Sequence, residues 1–530
     1  MFRKINVVFG GGNALTAFLV MLLALSMAVG CNGQRSPMDS DATGAFGRSA
    51  QTFSNGTEWG EGYSMDSAST MWVYHVPDGV CPGDLAVWDD GLGESGVSPL
   101  VTAFVRHDNS ESPSYIHLLM VDLSGDPVLP DMSFAAPQGL TGLPQPFARH
   151  PAVEVTYWRV DQAQVGLLEV EIVWSQLTLG LQNNHWDLYY KYLSYPVDED
   201  GVHWDQQSAP PITRIQSATT LNDELQVDLC VHAPTGDMYA AFLRETSEGN
   251  DGIYLVSHPN AGFYYSVWQA ASQVSGTTDT AKLGPRLDAG LISLTEPPDE
   301  ATPSVMVVWT ENDPDDDWQI FSNRFTIPGS PSSGATQQIT DQLENSNCFL
   351  PQIDITPECS GVHQAVLTWV VCYEVDNEYV DPEVEITATP FASDSIETIE
   401  GGRWSHCPDV ACYQMMVPNP GPDSEHWFGL SYYWSDEYEN PWEVRTQSYS
   451  FGVDWDGEHV VFESKYSYWL DDEYDHGWWT AANPFTGTTV CLRDPSYAEV
   501  DGEPIDDVFG LGWVDEDYMC KVTEGSIYPD

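Results

Sequence analysis

Apolar residues along this chain recur at every second position in short runs, and helical spacing is scarce. In the run beginning at Trp318, residues Trp318, Ile320 and Ser322 fall on one side and Gln319, Phe321 and Asn323 on the other. That is the period of a strand. A larger unit repeats around such runs: an apolar strand ending near a Trp, a polar or acidic turn, then an alternating strand. Trp174 leads to Trp186 in this way, Trp309 to Trp318 and Trp434 to Trp442, with looser copies centred on Val105, Leu243, Trp369 and Trp513. The seven centres are spaced 69, 69, 66, 60, 65 and 79 residues apart. Each interval holds about four strands of 5–6 residues. Repeated four-strand units predict an all-β chain folded as a β-propeller, in which each blade buries its faces against its neighbours.

Seven blades is the count this spacing predicts, with six blades plus an appended hairpin as the second choice. Trp513 lies only 17 residues from the end of the chain, so the last unit lacks a strand. The run from Met71 (Met-Trp-Val-Tyr-His-Val) is the expected donor of that strand and would close the ring. The propeller is therefore assigned to residues 67–530. The recurring Trp174, Trp309, Trp369 and Trp434 are expected in the core, and Trp186, Trp318 and Trp442 between blades.

The first 30 residues read as an export signal, because Arg3 and Lys4 precede a mostly apolar run. Ala28, Val29, Gly30 and Cys31 resemble the lipobox of bacterial lipoproteins, which implies a lipid on Cys31 and, with Asn32 next, an outer-membrane or cell-surface location. Ordinary cleavage after Ser26-Met27-Ala28, or retention as an anchor, are the alternatives. Residues 31–66 are rich in Ser, Gly, Asp and Asn and read as a flexible tether. Of the ten Cys, nine remain if Cys31 carries lipid. In an oxidising compartment Cys348 with Cys359, and Cys407 with Cys412, are close enough in sequence to be considered as disulfides.

Charge narrows the partners. The chain has 80 Asp and Glu against 18 Lys and Arg, a formal net charge of -62. A nucleic-acid partner is excluded, since phosphate binding needs clustered cations, and the same charge opposes anionic lipid. Membrane attachment is then expected only through the lipid anchor, with the chain acting as a monomer. The acids are interleaved with Trp, Tyr and Val and do not form a disordered tail.

Two short stretches invite a metal. Residues 197–204 and 453–460 share the pattern Val-Asp-x-Asp-Gly-x-His-apolar, and each follows an alternating strand. Asp198 and Asp200, or Asp454 and Asp456, offer carboxylate ligands for Ca2+, but a calcium site needs six to eight oxygens. The preferred reading is a tight turn that uses Gly201 or Gly457 at positive φ. With Gly201 and Trp204 in one copy and Gly457 and Val460 in the other, the pattern resembles the Asp-box turn of sialidase-like propellers. That resemblance implies a turn between the third and fourth strands of a blade and carries no activity. Val197 and Val453 stand at its hydroxyl position, His203 and His459 at its Thr, and Glu199 and Trp455 at its Asp.

Sequence motifs supply no reaction. A metal-protease helix, P-loop, nucleophile elbow and Cys-x-x-Cys are all missing. Gly91, Gly93 and Gly96 have dinucleotide-loop spacing but lead into a strand, where no helix N-terminus awaits a phosphate. No Arg-Ile-Pro motif or arginine cluster supports a sialidase. His406, Cys407 and Cys412 have poor spacing for zinc. An aromatic and acidic stretch containing Tyr474, His476, Trp478 and Trp479 suits a sugar or peptide surface, and these four are the candidate contact residues. The reading from sequence is an exported binding module for protein or carbohydrate. A carbohydrate-active enzyme of the glycoside hydrolase type, with paired carboxylates near the propeller channel, is the alternative.

Overall fold

The computed structural model describes backbone in segments between residues 51 and 527, and side chains within residues 115–432. Among the described residues the elements are strands, with one 3-10 turn at Trp204–Gln206. Seven of the described sheets have four or more strands. Sheet 1 runs Val80–Val87, Leu100–His107, Ser114–Val121 and Met132–Phe134. Sheet 2 is built on Ala148–Arg159, Gly166–Thr178 and His185–Asp198, with Gly201–Val202 and Thr213–Arg214 both added to the third strand. Sheets 3, 4, 5 and 6 begin with Asp223–His232, Lys282–Ile292, Ser346–Ile355 and His406–Gln414, and each continues as an antiparallel four-strand meander.

Sheet 7 joins the two ends of the chain. Its strands Thr489–Leu492, Asp507–Val514 and Met519–Ile527 take Met71–His75 as the outer strand, with Met71 opposite Thr523 and His75 opposite Met519. The first strand of each sheet lies against the first strand of the next, and Thr489–Leu492 lies against Val80–Val87. The series thus returns on itself around a central channel. This is a β-propeller. Edges stay short because the outermost strands of sheets 3, 4 and 5 are two residues each.

All seven repeat centres fall on second strands. The reason is burial on both faces. On Gly166–Thr178, Leu168, Val170, Ile172 and Trp174 pack with Ile116, Leu118 and Met120 of sheet 1. Val173, from the opposite face, packs with Leu229, Met238 and Phe242 of sheet 3. Trp174, Trp309 and Trp369 are fully buried. Burying a large apolar side chain stabilises a fold by about 1.5–3 kcal/mol. Trp318 packs with Val370 and Cys372 of sheet 5, as expected of a residue between blades. Its N–H donates to Asn347 Oδ1 at 2.9 Å, and the N–H of Trp186 donates likewise to Asp223 Oδ1 at 2.9 Å. The side chains of Trp434 and Trp442 lie outside the described residues.

Two expected disulfides are corrected. Cys348 is a buried free thiol, as are Cys230 and Cys372, so no disulfide joins Cys348 to Cys359. Cys407 and Cys412 lie on one extended strand. Five residues of strand span roughly 16 Å, whereas a disulfide needs Cα atoms about 4.4–6.8 Å apart. Trp204 opens a 3-10 turn, and its ring meets Tyr195 edge-on at 5.0 Å. Within the expected tether, Gln51–Thr52 pairs with Glu58–Trp59.

Candidate functional site

An innermost strand has no sheet neighbour on its channel side, so its polar groups must find other partners. The chain meets this with a bulge in the first strand of every sheet from 1 to 6. Bulges re-aim side chains and increase local twist. The bulged residue is left-handed in sheets 2 to 5: His150 (φ 50°), Gln226 (φ 52°), Gly284 (φ 53°) and Leu350 (φ 54°). Three of the four are not glycine, and so carry strain. Their side chains link one sheet to the next. His150 Nδ1 accepts the Gln226 N–H at 3.3 Å, and Gln226 Oε1 accepts the Gly284 N–H at 2.6 Å.

Two and four residues beyond the bulged residue, the channel wall becomes acidic. The nearer level carries Ala152, Asp228, Arg286, Gln352 and Asp409 in sheets 2 to 6; the farther one carries Glu154, Cys230, Asp288, Asp354 and Ala411. Asp228 Oδ2 accepts the Leu287 N–H at 2.9 Å, across to sheet 4. Asp288 Oδ2 accepts the Ile355 N–H at 2.7 Å, across to sheet 5. Asp288 Oδ1 takes the N–H of Ala289 at 2.7 Å, and Asp354 Oδ1 shares the Ile355 N–H at 2.9 Å. Arg286 Nη1 lies 3.8 Å from Asp228 Oδ1.

These neighbours set the protonation. Burial, then the Asp354 charge and hydrogen bond, hold the Asp288 carboxyl well above the usual carboxylate range. Asp288 and Asp354 thus behave as one pair sharing a proton, because two adjacent carboxylates do not both ionise readily. Burial raises Asp228 as well, with Arg286 opposing it. The Cys230 thiol is pushed up by burial and then by Asp288, Glu154 and Asp228. Three carboxyl groups from three sheets therefore converge on this thiol, which they make inert. Asp228, Asp288, Asp354 and Glu154 are each partly exposed.

A carboxyl group kept neutral by a neighbouring carboxylate is a candidate proton donor. The Asp288–Asp354 pair is too close to supply both groups of a glycoside hydrolase, which stand about 5–9.5 Å apart. A second carboxylate would come from Asp228 or Glu154 on the neighbouring first strands. Among the described residues, no group of three or more His, Cys, Asp or Glu has the geometry of a metal site.

The residues singled out from sequence lie elsewhere. Asp198 ends the third strand of sheet 2 and pairs with Gly201, leaving a two-residue connection. The second copy of the pattern runs into His459–Glu463, the fourth strand of sheet 6, at the corresponding junction. The Asp198 side chain, together with Asp200, Asp454, Asp456, Tyr474, His476, Trp478, Trp479 and Cys31, lies outside the described residues. The channel acids escaped notice among 80 Asp and Glu. Their one signal is an Asp inside an apolar strand, as in Val-Asp228-Leu, Leu-Asp288-Ala and Ile-Asp354-Ile.

No family model matches the chain, and no curated protein matches it in sequence. Solved structures are similar at low identity. The polysaccharide lyase Uly1 is 8% identical with a TM-score of 0.42, over 86% of this chain and 92% of that one. The Hadza microbial sialidase Hz136 is 10% identical with a TM-score of 0.36, over 79% and 74%. A family 32 glycoside hydrolase from Bifidobacterium adolescentis is 9% identical with a TM-score of 0.32, over 87% and 80%. No residue role is carried over from any of them.

Proposed function

We propose that this chain is an exported carbohydrate-active enzyme that cleaves glycosidic bonds with the carboxyl groups of its propeller channel. The observation that carries this reading is the Asp288–Asp354 pair on the channel wall, with the Asp288 carboxyl pushed well above the usual carboxylate range by burial and by its partner. In this scheme Asp288 donates its proton to the leaving-group oxygen, and the repulsion between the two carboxylates that results favours its reprotonation from the water that enters. Asp228 or Glu154 acts from the adjoining strand, as a base toward water or as a nucleophile. The overall charge of -62 disfavours polyanionic substrates and favours neutral or amino-bearing glycans. Export and attachment through lipid on Cys31 belong to the same proposal, supported by the basic start and apolar run of the first 30 residues.

The test is reducing-end release by the full chain on a panel of neutral and amino polysaccharides, with Asp288→Asn and Asp354→Asn alongside. General acid catalysis contributes about 100- to 10,000-fold. Asp288→Asn should therefore lose at least about 100-fold in kcat while still binding the polymer. Cleavage at the wild-type rate by Asp288→Asn overturns the assignment. Retention on a polysaccharide with no cleavage by the wild-type chain would return the protein to the binding-module reading. Labelled fatty acid should enter the exported chain and not the Cys31→Ser variant.

A further inference from the structure

We propose a second ligand site, between sheets 2 and 3, suited by its charge and aromatic rings to a small organic ammonium group. Apart from Glu154 it rests on residues outside the channel, and it does not depend on the enzymatic reading. The face of sheet 2 turned to sheet 3 carries a polar patch inside an otherwise apolar contact. Glu154, Glu171 and Tyr192 stand opposite one another across three strands, and Thr156, Glu169 and Ser194 form the next row. Facing them, sheet 3 contributes Val227, Leu229, Met238 and Phe242 to the packed interface. Glu169 and Glu171 are 3% and 1% exposed.

Two polar atoms here, one on Glu171 and one on Trp268, have no hydrogen-bond partner among the described residues. Tyr190 donates its hydroxyl to Glu171 Oε2 at 2.6 Å, while Glu171 Oε1 has no hydrogen-bond partner. Beside it, Trp268 is 8% exposed and its indole N–H has no acceptor. The Trp268 ring meets Tyr190 edge-on at 5.4 Å and His258 at 5.1 Å. A buried carboxyl oxygen and a buried indole donor left open in one interface point to an occupant.

Charge and the surrounding rings select its class. Burial, Glu169 and Glu154 all oppose ionisation of Glu171, and the Tyr190 hydroxyl is the opposing influence. A cation would relieve that repulsion. A compact ammonium donates N–H to Glu171 Oε1 and sits well against the aromatic rings of Tyr190, Tyr192 and Trp268. The acids lack the grouping a metal ion requires. The segment that carries Trp268 lies at the surface, since its neighbour Val267 is 73% exposed, and Gln269 N–H ties it to Ser257 O at 2.8 Å.

The experiment is thermal melting of the full chain at pH 7 in methylammonium chloride and in sodium chloride at equal ionic strength. A saturable rise in Tm specific to methylammonium is expected, lost in Glu171→Gln and weakened at least tenfold in apparent affinity by Glu169→Gln. Equal melting in the two salts means that no ammonium enters the interface, and overturns the proposal. So does a methylammonium response that survives in Glu171→Gln. Should that variant fail to fold, the Glu169→Gln titration decides: an unchanged apparent affinity overturns the site.

Discussion

Asp288 and Ile355 join sheets 4 and 5 by a side-chain-to-backbone hydrogen bond of 2.7 Å, and Asp228 and Leu287 repeat the bond one sheet earlier at 2.9 Å. Each bond occupies an N–H on a strand that has no sheet partner toward the channel. The acid wall is therefore part of the ring's assembly as well as the candidate chemistry. Replacing Asp288 by Ala removes the acceptor of the Ala289 N–H and one of the two acceptors of the Ile355 N–H. A donor left open costs about 1–3 kcal/mol. Asp288→Asn keeps an acceptor and the neutral charge, so its urea midpoint should stay near wild type while that of Asp288→Ala falls. Equal midpoints would remove the structural half of this account, and any loss of activity in Asp288→Asn would then be read against an intact fold.

Glu385 predicts an inverted pH response. It accepts the indole N–H of Trp369 at 2.9 Å, and burial, aided by Glu383, pushes its carboxyl up to about 7. The folded chain then holds a proton that the unfolded chain has released between pH 4.5 and about 7. Stability from this group is complete below 4.5 and falls as pH rises to 7, by about 3 kcal/mol in all. Glu385→Gln keeps an acceptor for Trp369 and cannot ionise. Its Tm should gain on wild type steadily from pH 4.5 to 7 and hold a constant lead above. Parallel curves over that range would show that Glu385 is not buried as an acid.

Lys282 and Glu311 form a buried cross-strand pair at 3.4 Å, with Glu311 also taking the indole N–H of Trp309 at 2.8 Å. Lys282 is fully buried and gives two further bonds to Thr280. Removing one partner of such a pair costs about 3–5 kcal/mol, because the other charge is stranded. Lys282→Met should therefore be severely destabilised, and Lys282→Met with Glu311→Gln should recover a large part of the loss. Additive losses in the urea midpoints would mean that the two side chains are not coupled.

Much of the architecture is legible in sequence, because second strands are buried on both faces and announce themselves as apolar runs ending near Trp. The Met71 strand was legible for a related reason: a repeat one strand short at its end needs a donor. The bulges were not. Among the left-handed residues only Gly284 carries a local signal, while His150, Gln226 and Leu350 are held there by the ring against their own preference. A bulge also shifts the alternation by one residue, so counting in twos loses which residues face the channel. That is why Asp228, Asp288 and Asp354 stayed hidden. The Cys348 pairing failed on another ground, since proximity in sequence says nothing about which face of a sheet a thiol enters.

Gly284 and Gly290, six residues apart on one strand, separate backbone strain from crowding. At Gly284, φ is +53° and an added Cβ would meet nothing within 4 Å. Gly284→Ala is opposed by backbone conformation alone, about 1–2 kcal/mol. At Gly290 an added Cβ would stand 2.8 Å from Ile355 Cγ2 and 3.4 Å from its Cβ, across the junction of sheets 4 and 5. Gly290→Ala is opposed by overpacking, at about 1–3 kcal/mol. Shortening Ile355 discriminates the two. Ile355→Ala is destabilising by itself, because Ile355 belongs to a buried cluster with Ile292, Met306 and Leu367. It should nevertheless absorb much of the Gly290→Ala penalty in the double variant and none of the Gly284→Ala penalty. A double-mutant cycle on urea midpoints reads the coupling directly. Coupling of Ile355 to Gly284 instead would place the strain at the wrong glycine and undo the account of the bulge.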